Sequence, residues 1–262
     1  MGWLEAILAG AGAFFGTLQA HHEYLRRRVL RAVEERAPEQ RRIPVSVVIP
    51  ALEEEKYLPG CLRSLLNGTV VPDEIIVVDS GSRDGTVEIA ESFGCRVLYS
   101  PKGEFLWGRE GSEDEPHIWT TGVAEARNRG GAEARNDVLL FTDADTIFEW
   151  HAVERLYQVL MRGAAVTHPM QVLADRPELG WWWHVQNLGM DLRVPSRTQM
   201  VRREDFLRVG GFRYIFHEDN DFARRVAGLR RGGMRFVPDA VIGTSGRRIT
   251  FFGWSWERHT QR

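Results

Sequence analysis

Two acids at the end of an apolar run are the residues of this chain best placed to do chemistry. In Asp137-Val-Leu-Leu-Phe-Thr-Asp-Ala-Asp-Thr146 the hydrophobic stretch stops abruptly, and Asp143 and Asp145 follow with one alanine between them. Residues two apart on an extended segment point the same way, so both carboxylates can face one divalent cation. Mg²⁺ and Mn²⁺ favour oxygen donors of this kind. The competing reading is a helix N-cap or a solvated turn, since aspartate serves in both.

An element must bring those acids to an edge. Residues 138–141 are uniformly apolar, which predicts a strand buried on both faces, as in parallel sheets. In open α/β sheets ligands bind at the carboxyl ends of the strands, where Asp143 and Asp145 would lie. Around this strand the pattern alternates. Residues 45–49 and 74–78 are β-branched runs, residues 96–99 and 164–169 read as further strands, and 236–242 as one more. Helical stretches fall between or after them at 58–66, 87–93, 123–134, 150–161 and 221–226. This is the signature of βαβ units, and predicts an α/β fold with a mostly parallel central sheet flanked by helices.

The 262 residues suffice for one large α/β domain, and 43% hydrophobic content suffices for its core. A net charge of -2, from 34 basic and 36 acidic residues, gives no global field that would draw nucleic acid. Lysine occurs only at Lys56 and Lys102, so cation chemistry falls to arginine, whose planar fork suits phosphate. Cys61 and Cys95 lack metal-ligand spacing and read as reduced core thiols, consistent with a cytoplasmic setting.

The N-terminal stretch leaves three readings open. Residues 3–20 are mostly apolar with one charge, Glu5, and Arg26, Arg27, Arg28 and Arg31 follow. A membrane span needs about 20 apolar residues, and this run is short and glycine-rich. An interfacial or partner-docking amphipathic helix fits the spacing of Leu4, Leu8, Ala11, Phe15, Leu18, Leu25, Val29 and Ala32. A signal peptide would carry its positive charge before the apolar run, not after it. The expected organisation is an N-terminal apolar helix over 1–37, a linker over 38–44, a main domain over 45–246 and a tail over 247–262.

Taken in order, the motifs resemble those of the family-2 glycosyltransferases, inverting enzymes of the GT-A fold. Val47-Val-Ile-Pro-Ala-Leu-Glu-Glu54 is similar to the family's opening strand and loop, and Ile76-Val-Val-Asp-Ser-Gly-Ser-Arg-Asp-Gly-Thr86 to its second. Ala126-Arg-Asn-Arg-Gly130 is similar to the helix before the metal motif, and Asp143-Ala-Asp145 to that DxD motif itself. Val209-Gly-Gly-Phe212 with His217-Glu-Asp-Asn-Asp221 is similar to the segment carrying the base. Two positions depart from the pattern: Glu53 stands where asparagine is frequent, and Ser80 where a second aspartate is.

The resemblance implies transfer of a sugar from a nucleoside-diphosphate sugar, a UDP- or GDP-sugar, to a hydroxyl of a lipid carrier or glycan. Asp145 would bind Mg²⁺ or Mn²⁺, with Asp143 sharing the ion or touching the ribose. Asp79 would accept from the base, with Pro50, Ala51 and Glu54 bordering the same pocket. Asp219 would be the general base, with Glu218 beside it. His217 reads as structural. Arg127, Asn128, Arg129, Arg247 and Arg248 are candidate donor contacts, and residues 244–248 a candidate lid. Residues 103–120 read as a solvated loop or a flap bearing Trp107 or Trp119. Trp150, Trp181–Trp183, Trp254 and Trp256 could stack on sugar or lipid, or simply pack. Residues 181–193 would select the acceptor. No equivalent of a C-terminal histidine ligand is assigned, since His259 lies in a polar tail.

Two alternatives remain. A nucleotidyltransferase would also use metal-binding carboxylates on an α/β sheet, but normally follows its first strand with a glycine-rich basic loop; here that loop is acidic. A degenerate nucleotide-sugar-binding or scaffold protein would bind without turnover. A homodimer and peripheral membrane contact through residues 3–20 are compatible with the sequence.

Overall fold

The computed structural model describes residues 3–101, 105–108, 117–187, 196–215, 217–247, 249–250 and 253–254. In chain order the elements are α1 (Trp3–Glu34), β1 (Arg41–Ala51), α2 (Leu58–Asn67), β2 (Val70–Asp79), α3 (Thr86–Ser92), β3 (Arg96–Tyr99), β4 (Phe105–Gly108), β5 (His117–Thr120), α4 (Thr121–Glu133), β6 (Val138–Phe141) and β7 (Ile147–Phe148). There follow α5 (Ala152–Met161), β8 (Val166–Leu173), α6 (Gly180–Asn187), β9 (Gln199–Arg202), α7 (Arg203–Arg208), α8 (Glu218–Ala227), β10 (Met234–Thr244), β11 (Ile249–Thr250) and β12 (Gly253–Trp254).

Eight strands form the central sheet in the order β3-β2-β1-β6-β9-β8-β10-β7. The pairings β3–β2, β2–β1, β1–β6 and β8–β10 are parallel; β9 runs against both its neighbours, and β7 against β10. The sheet is thus mostly parallel, as its apolar runs predict, with an inverted strand set into its middle. Alternation along β1 divides the core. Val45, Val47 and Ile49 pack with α2, α3 and α5 on one face, while Val48 packs with α4, α7 and α8 on the other. Complete burial of each such side chain contributes about 1.5–3 kcal/mol, so the two faces dominate the fold's stability.

Small residues set how closely α4 approaches the sheet. A Cβ on Gly130 would collide with the Val48 side chain, and one on Gly131 would lie 2.7 Å from Phe206. That proximity brings the side chains of α4 down toward the end of β6.

The N-terminal helix belongs to this body. Leu25 and Val29 form a cluster with Val172 and Val241, and Ala32 is also buried. Arg28 pairs with buried Glu149 at 3.0 Å, His22 Nε2 meets the Leu173 carbonyl at 3.2 Å, and Arg26 donates to the Ala174 carbonyl. No helix among the described residues is long and apolar enough to cross a membrane. The apolar stripe read as partner-docking finds its partner, over its second half, in this same chain.

One bound needs correction, and an open alternative at the tryptophans falls to packing. The supposed linker is shorter than 38–44, because β1 begins at Arg41, paired with Val70. Trp150 and Trp183 are packing residues: the Trp150 indole donates to the Glu35 carbonyl beneath Arg31, and buried Trp183 donates to the Gln171 carbonyl. Trp181 meets Phe15 of α1 edge-on, with ring centroids 5.0 Å apart. Large aromatic faces here join α1 and α6 to the sheet.

Candidate active site

The carboxyl ends of β2, β1 and β6 lie side by side, so the loops leaving them share one edge. Pro50 and Ala51 end β1 opposite Val78 and Asp79 of β2. The two exit loops are stitched together. Ser82 Oγ accepts from the Glu53 N–H, Glu53 Oε1 from the Arg83 N–H, Thr86 Oγ1 from the Glu54 N–H, and Glu55 Oε2 from the Gly85 N–H. Glu53 adopts a left-handed φ of 57° at the corner. Asp79 is buried, and its carboxylate closes its own turn by accepting from the Gly81 and Ser82 N–H groups. Asp79 therefore forms the turn that ends β2, at a position flanked by Pro50 and Ala51.

Asp143 and Asp145 follow β6 directly. Asp143 Oδ1 accepts from Arg127 Nη2 at 2.8 Å, and its Oδ2 lies 3.5 Å from Arg197. Asp145 lies 3.4 Å from Arg247, whose guanidinium forks onto Glu54 at 2.6 and 3.0 Å and covers the Tyr57 ring at 4.6 Å. A guanidinium pair to a carboxylate is a strong, directional contact. Arg247 is held from behind, because the neighbouring Gly246 N–H and Ser245 hydroxyl both donate to Asp175 at 2.6 Å. This part of the expected lid is docked across the site.

The acidic segment 217–221 opens α8. His217 takes a left-handed φ of 58° at the N-cap, and Glu218, Asp219 and Asp221 occupy the first turn, where the helix dipole favours negative charge. Glu218 accepts from Arg127 Nη1 at 2.7 Å. Asp219 is largely buried; its Oδ1 accepts from the Asn220 N–H, and its carbonyl from Gln199 Nε2. The segment thus both starts α8 and joins the strand edge through the Glu218–Arg127 contact.

Two expected donor contacts do other work. Arg127 is 1% exposed with both terminal nitrogens on carboxylates, so it is not presented to a diphosphate. Asn128 holds the Phe212 backbone with both ends of its amide, donating to its carbonyl at 2.8 Å and accepting from its N–H at 2.7 Å. Cys61 lies under the site, where burial pushes its thiol well above the usual range, as an inert core thiol requires. Arg248, Trp256, His259, residues 188–193 and the acids of 110–115 lie outside the described residues. Of Trp107, Trp119 and Trp254 only the backbone is described.

Three contributors escape sequence reading: Arg197, Thr198 and Gln199. Thr198 links its hydroxyl to that of Thr142 at 2.9 Å, tying the start of β9 to the end of β6. Because β9 is inverted, the residues entering it reach the catalytic edge. Only the short run Gln199-Met-Val-Arg202 signals that strand in the sequence.

The cluster suits an oxygen-loving divalent ion. Among the described residues no three ligating side chains converge on one point. Two carboxylates remain a fitting protein share, since Mg²⁺-type ions commonly take one or two carboxylates and complete their shell with phosphate and water. Five carboxylates, Glu54, Asp143, Asp145, Glu218 and Asp219, share this edge with three guanidiniums, Arg127, Arg197 and Arg247.

A mostly parallel sheet with carboxylates gathered at its strand ends is an α/β domain whose candidate site lies at the carboxyl ends of its strands. The family model for glycosyl transferase family 2 matches residues 46–109 and 116–232, and the chain belongs to that family. It is 32% identical over 120 residues to glycosyltransferase GlyG of Streptococcus pneumoniae, a match covering 44% of this chain and 34% of that protein. The match thus spans about a third of that relative's length. In fold it is similar to S. aureus TarS 1-349 in complex with UDP-GlcNAc, with a TM-score of 0.57 at 18% identity, covering 79% of this chain and 60% of the other. It is likewise similar to glucosyl-3-phosphoglycerate synthase from Mycobacterium tuberculosis, solved with Mn²⁺, UDP and glucosyl-3-phosphoglycerate. There the TM-score is 0.52 at 23% identity, covering 84% and 75%. The GT-A architecture is therefore that of this chain.

Proposed function

We propose that this chain is an inverting, metal-dependent glycosyltransferase that moves a sugar from a nucleoside-diphosphate sugar to an acceptor hydroxyl. The observation that carries the reading is the charge at the strand edge. Asp143 and Asp145 stand one residue apart at the end of β6 with Arg127, Arg197 and Arg247 gathered around them, a carboxylate pair that suits one Mg²⁺ or Mn²⁺. Asp145 and Asp143 would hold that ion, which supplies Lewis acidity to a departing diphosphate. Glu54, Pro50, Ala51 and Asp79 border the place for the nucleoside. The similar mycobacterial synthase was solved with UDP and Mn²⁺, which makes UDP the first donor nucleotide to test.

Asp219 is the general base of this reading. The acceptor oxygen attacks the anomeric carbon from the face opposite the diphosphate, its proton passes to the Asp219 carboxylate, and the bond to the diphosphate oxygen breaks. Attack from the opposite face inverts the anomeric centre. A positioned base is worth typically about 10² to 10⁴ in rate. A lipid-linked or glycan acceptor completes the reading; α1 exposes Phe14, and Phe15 in part beside Trp181. Flotation with anionic vesicles, lost on replacing both phenylalanines by serine, would support membrane contact; unchanged flotation would remove it.

Calorimetric titration of UDP and GDP, each with and without Mn²⁺, on the wild type and on Asp145→Asn tests the central reading. Metal-dependent binding of one nucleotide, lost in the variant, supports it. Absence of binding under every condition would sink it in favour of a non-catalytic domain.

A further inference from the structure

We propose that Arg127 is the positioning residue that fixes the metal-motif aspartate and the base-bearing helix in one rigid relation. The inference rests on the glycosyltransferase reading, and adds a role for a residue that reads, in the sequence, as a phosphate contact.

The geometry singles out this side chain. Asp143 hangs from the end of β6, and Glu218 opens α8, next to Asp219. These two elements come from distant parts of the chain, and Arg127 spans them: one terminal nitrogen sits 2.7 Å from Glu218 Oε1, the other 2.8 Å from Asp143 Oδ1. The guanidinium is 1% exposed, whereas its two partners are 17% and 24% exposed. The buried arginine therefore stands behind carboxylates that open toward the site.

Its own position is over-determined. The guanidinium lies 5.4 Å from the centroid of Phe212. Phe212 is stacked on Phe222 of α8 at 4.0 Å and meets Phe141 of β6 edge-on at 4.9 Å. Asn128, the next residue of α4, clamps the Phe212 backbone through both ends of its amide. A Cβ on Gly211 would strike that same amide, so the glycine there leaves it room. The aromatic plate and the ionic bridge thus join the same elements, α4, β6 and α8, one layer below the other.

A planar fork with separate donors can hold two carboxylates at a fixed spacing. A lysine ammonium in the same place keeps the charge but satisfies one partner at a time. The relation between donor site and base then loosens, with little change in what each binds alone. Misplacement on the order of 1 Å costs about a hundredfold in rate. A residue that orients groups for the transition state lowers kcat without raising KM in proportion.

The test is Arg127→Lys in the full chain, compared with wild type in UDP-sugar transfer, with melting temperature recorded alongside. We expect a folded variant, kcat lower by about a hundredfold, and acceptor KM within about threefold of wild type. Arg127→Gln, which removes the charge as well, should lose more. A lysine variant that turns over like wild type would overturn the assignment. So would one that unfolds, which would make Arg127 a structural residue only, or one whose loss lies wholly in KM. Wild-type chain that neither binds nucleotide nor transfers sugar removes the parent reading along with this one; active wild type with an indifferent Arg127→Lys removes this one alone.

Discussion

Replacing Val29 by alanine tests whether α1 is part of the catalytic body or an appendage to it. Val29 is wholly buried, packed with Leu25, Val172 and Val241 against the β8–β10 end of the sheet. Its Cγ1 lies 2.8 Å from where a Cβ on Gly243 would be, so the valine methyl fills the space that this glycine leaves on β10. Removing two buried methyl groups loses about 1.6 kcal/mol of transfer free energy, and the hole left in a strand-backed site adds about 1 kcal/mol more. The expected loss is about 2–3 kcal/mol. The assay is equilibrium unfolding in urea followed by tryptophan fluorescence, with Arg27→Ala as control. Arg27 is exposed and paired with Glu23 one turn away, so its replacement should change stability by less than about 0.5 kcal/mol. The midpoint for Val29→Ala should fall with the slope unchanged. An unmoved midpoint, or an early transition confined to α1 while the remainder unfolds as before, would refute the reasoning.

Gly180→Ala should destabilise by about 1–3 kcal/mol, because the added methyl would collide with the His22 ring between α6 and α1; calorimetric melting reads this directly. Acid should weaken the fold through buried histidines. Burial pushes His168 down to about 4, and burial followed by the neighbouring His22 and His21 does the same to His184. Protons then bind the unfolded chain first, so stability is complete above the ordinary histidine value and drains as pH falls from about 6.5 toward about 4. His168 alone accounts for about 2 kcal/mol by pH 5, and His168→Leu should flatten the pH–stability slope measured by urea unfolding. Asn128→Ala strips two partners from the Phe212 backbone and should cost about 2 kcal/mol, with kcat falling as well; an unchanged melting temperature would show that water replaces the amide.

Much of this was written plainly in the sequence. β3 and β6 occupy the residues that their apolar runs predict, and helices α2, α3 and α5 begin or end within two residues of expectation. An apolar run such as Val138-Leu-Leu-Phe141 has few other ways to be buried, which is why β6 reads clearly. The motifs also placed Glu54, Asp143, Asp145, Glu218 and Asp219 around one edge. What escaped depends on partners distant in the chain. The burial of Arg127 is set by two carboxylates on other elements, and a helical arginine looks the same in sequence whether buried or solvated. The signal available was the small-residue company it keeps, Ala124, Ala126, Gly130 and Gly131, which marks a close helix–sheet contact. β9 is only four residues long and its direction is fixed by pairing, so neither it nor Arg197 could be located. The half-buried α1 stripe was visible; which surface it covered was not.

The inverted β9 has an architectural consequence. A parallel strand in that slot would send its exit loop to the active edge and bury its entrance at the opposite end of the sheet. Running the other way, β9 delivers its entrance there, which is how Arg197 comes to lie 3.5 Å from Asp143. The strand is anchored by four ladder positions on β6 and two on β8. The antiparallel pairing therefore sets both the register of β9 and which of its ends meets the edge where Asp143 and Asp145 stand.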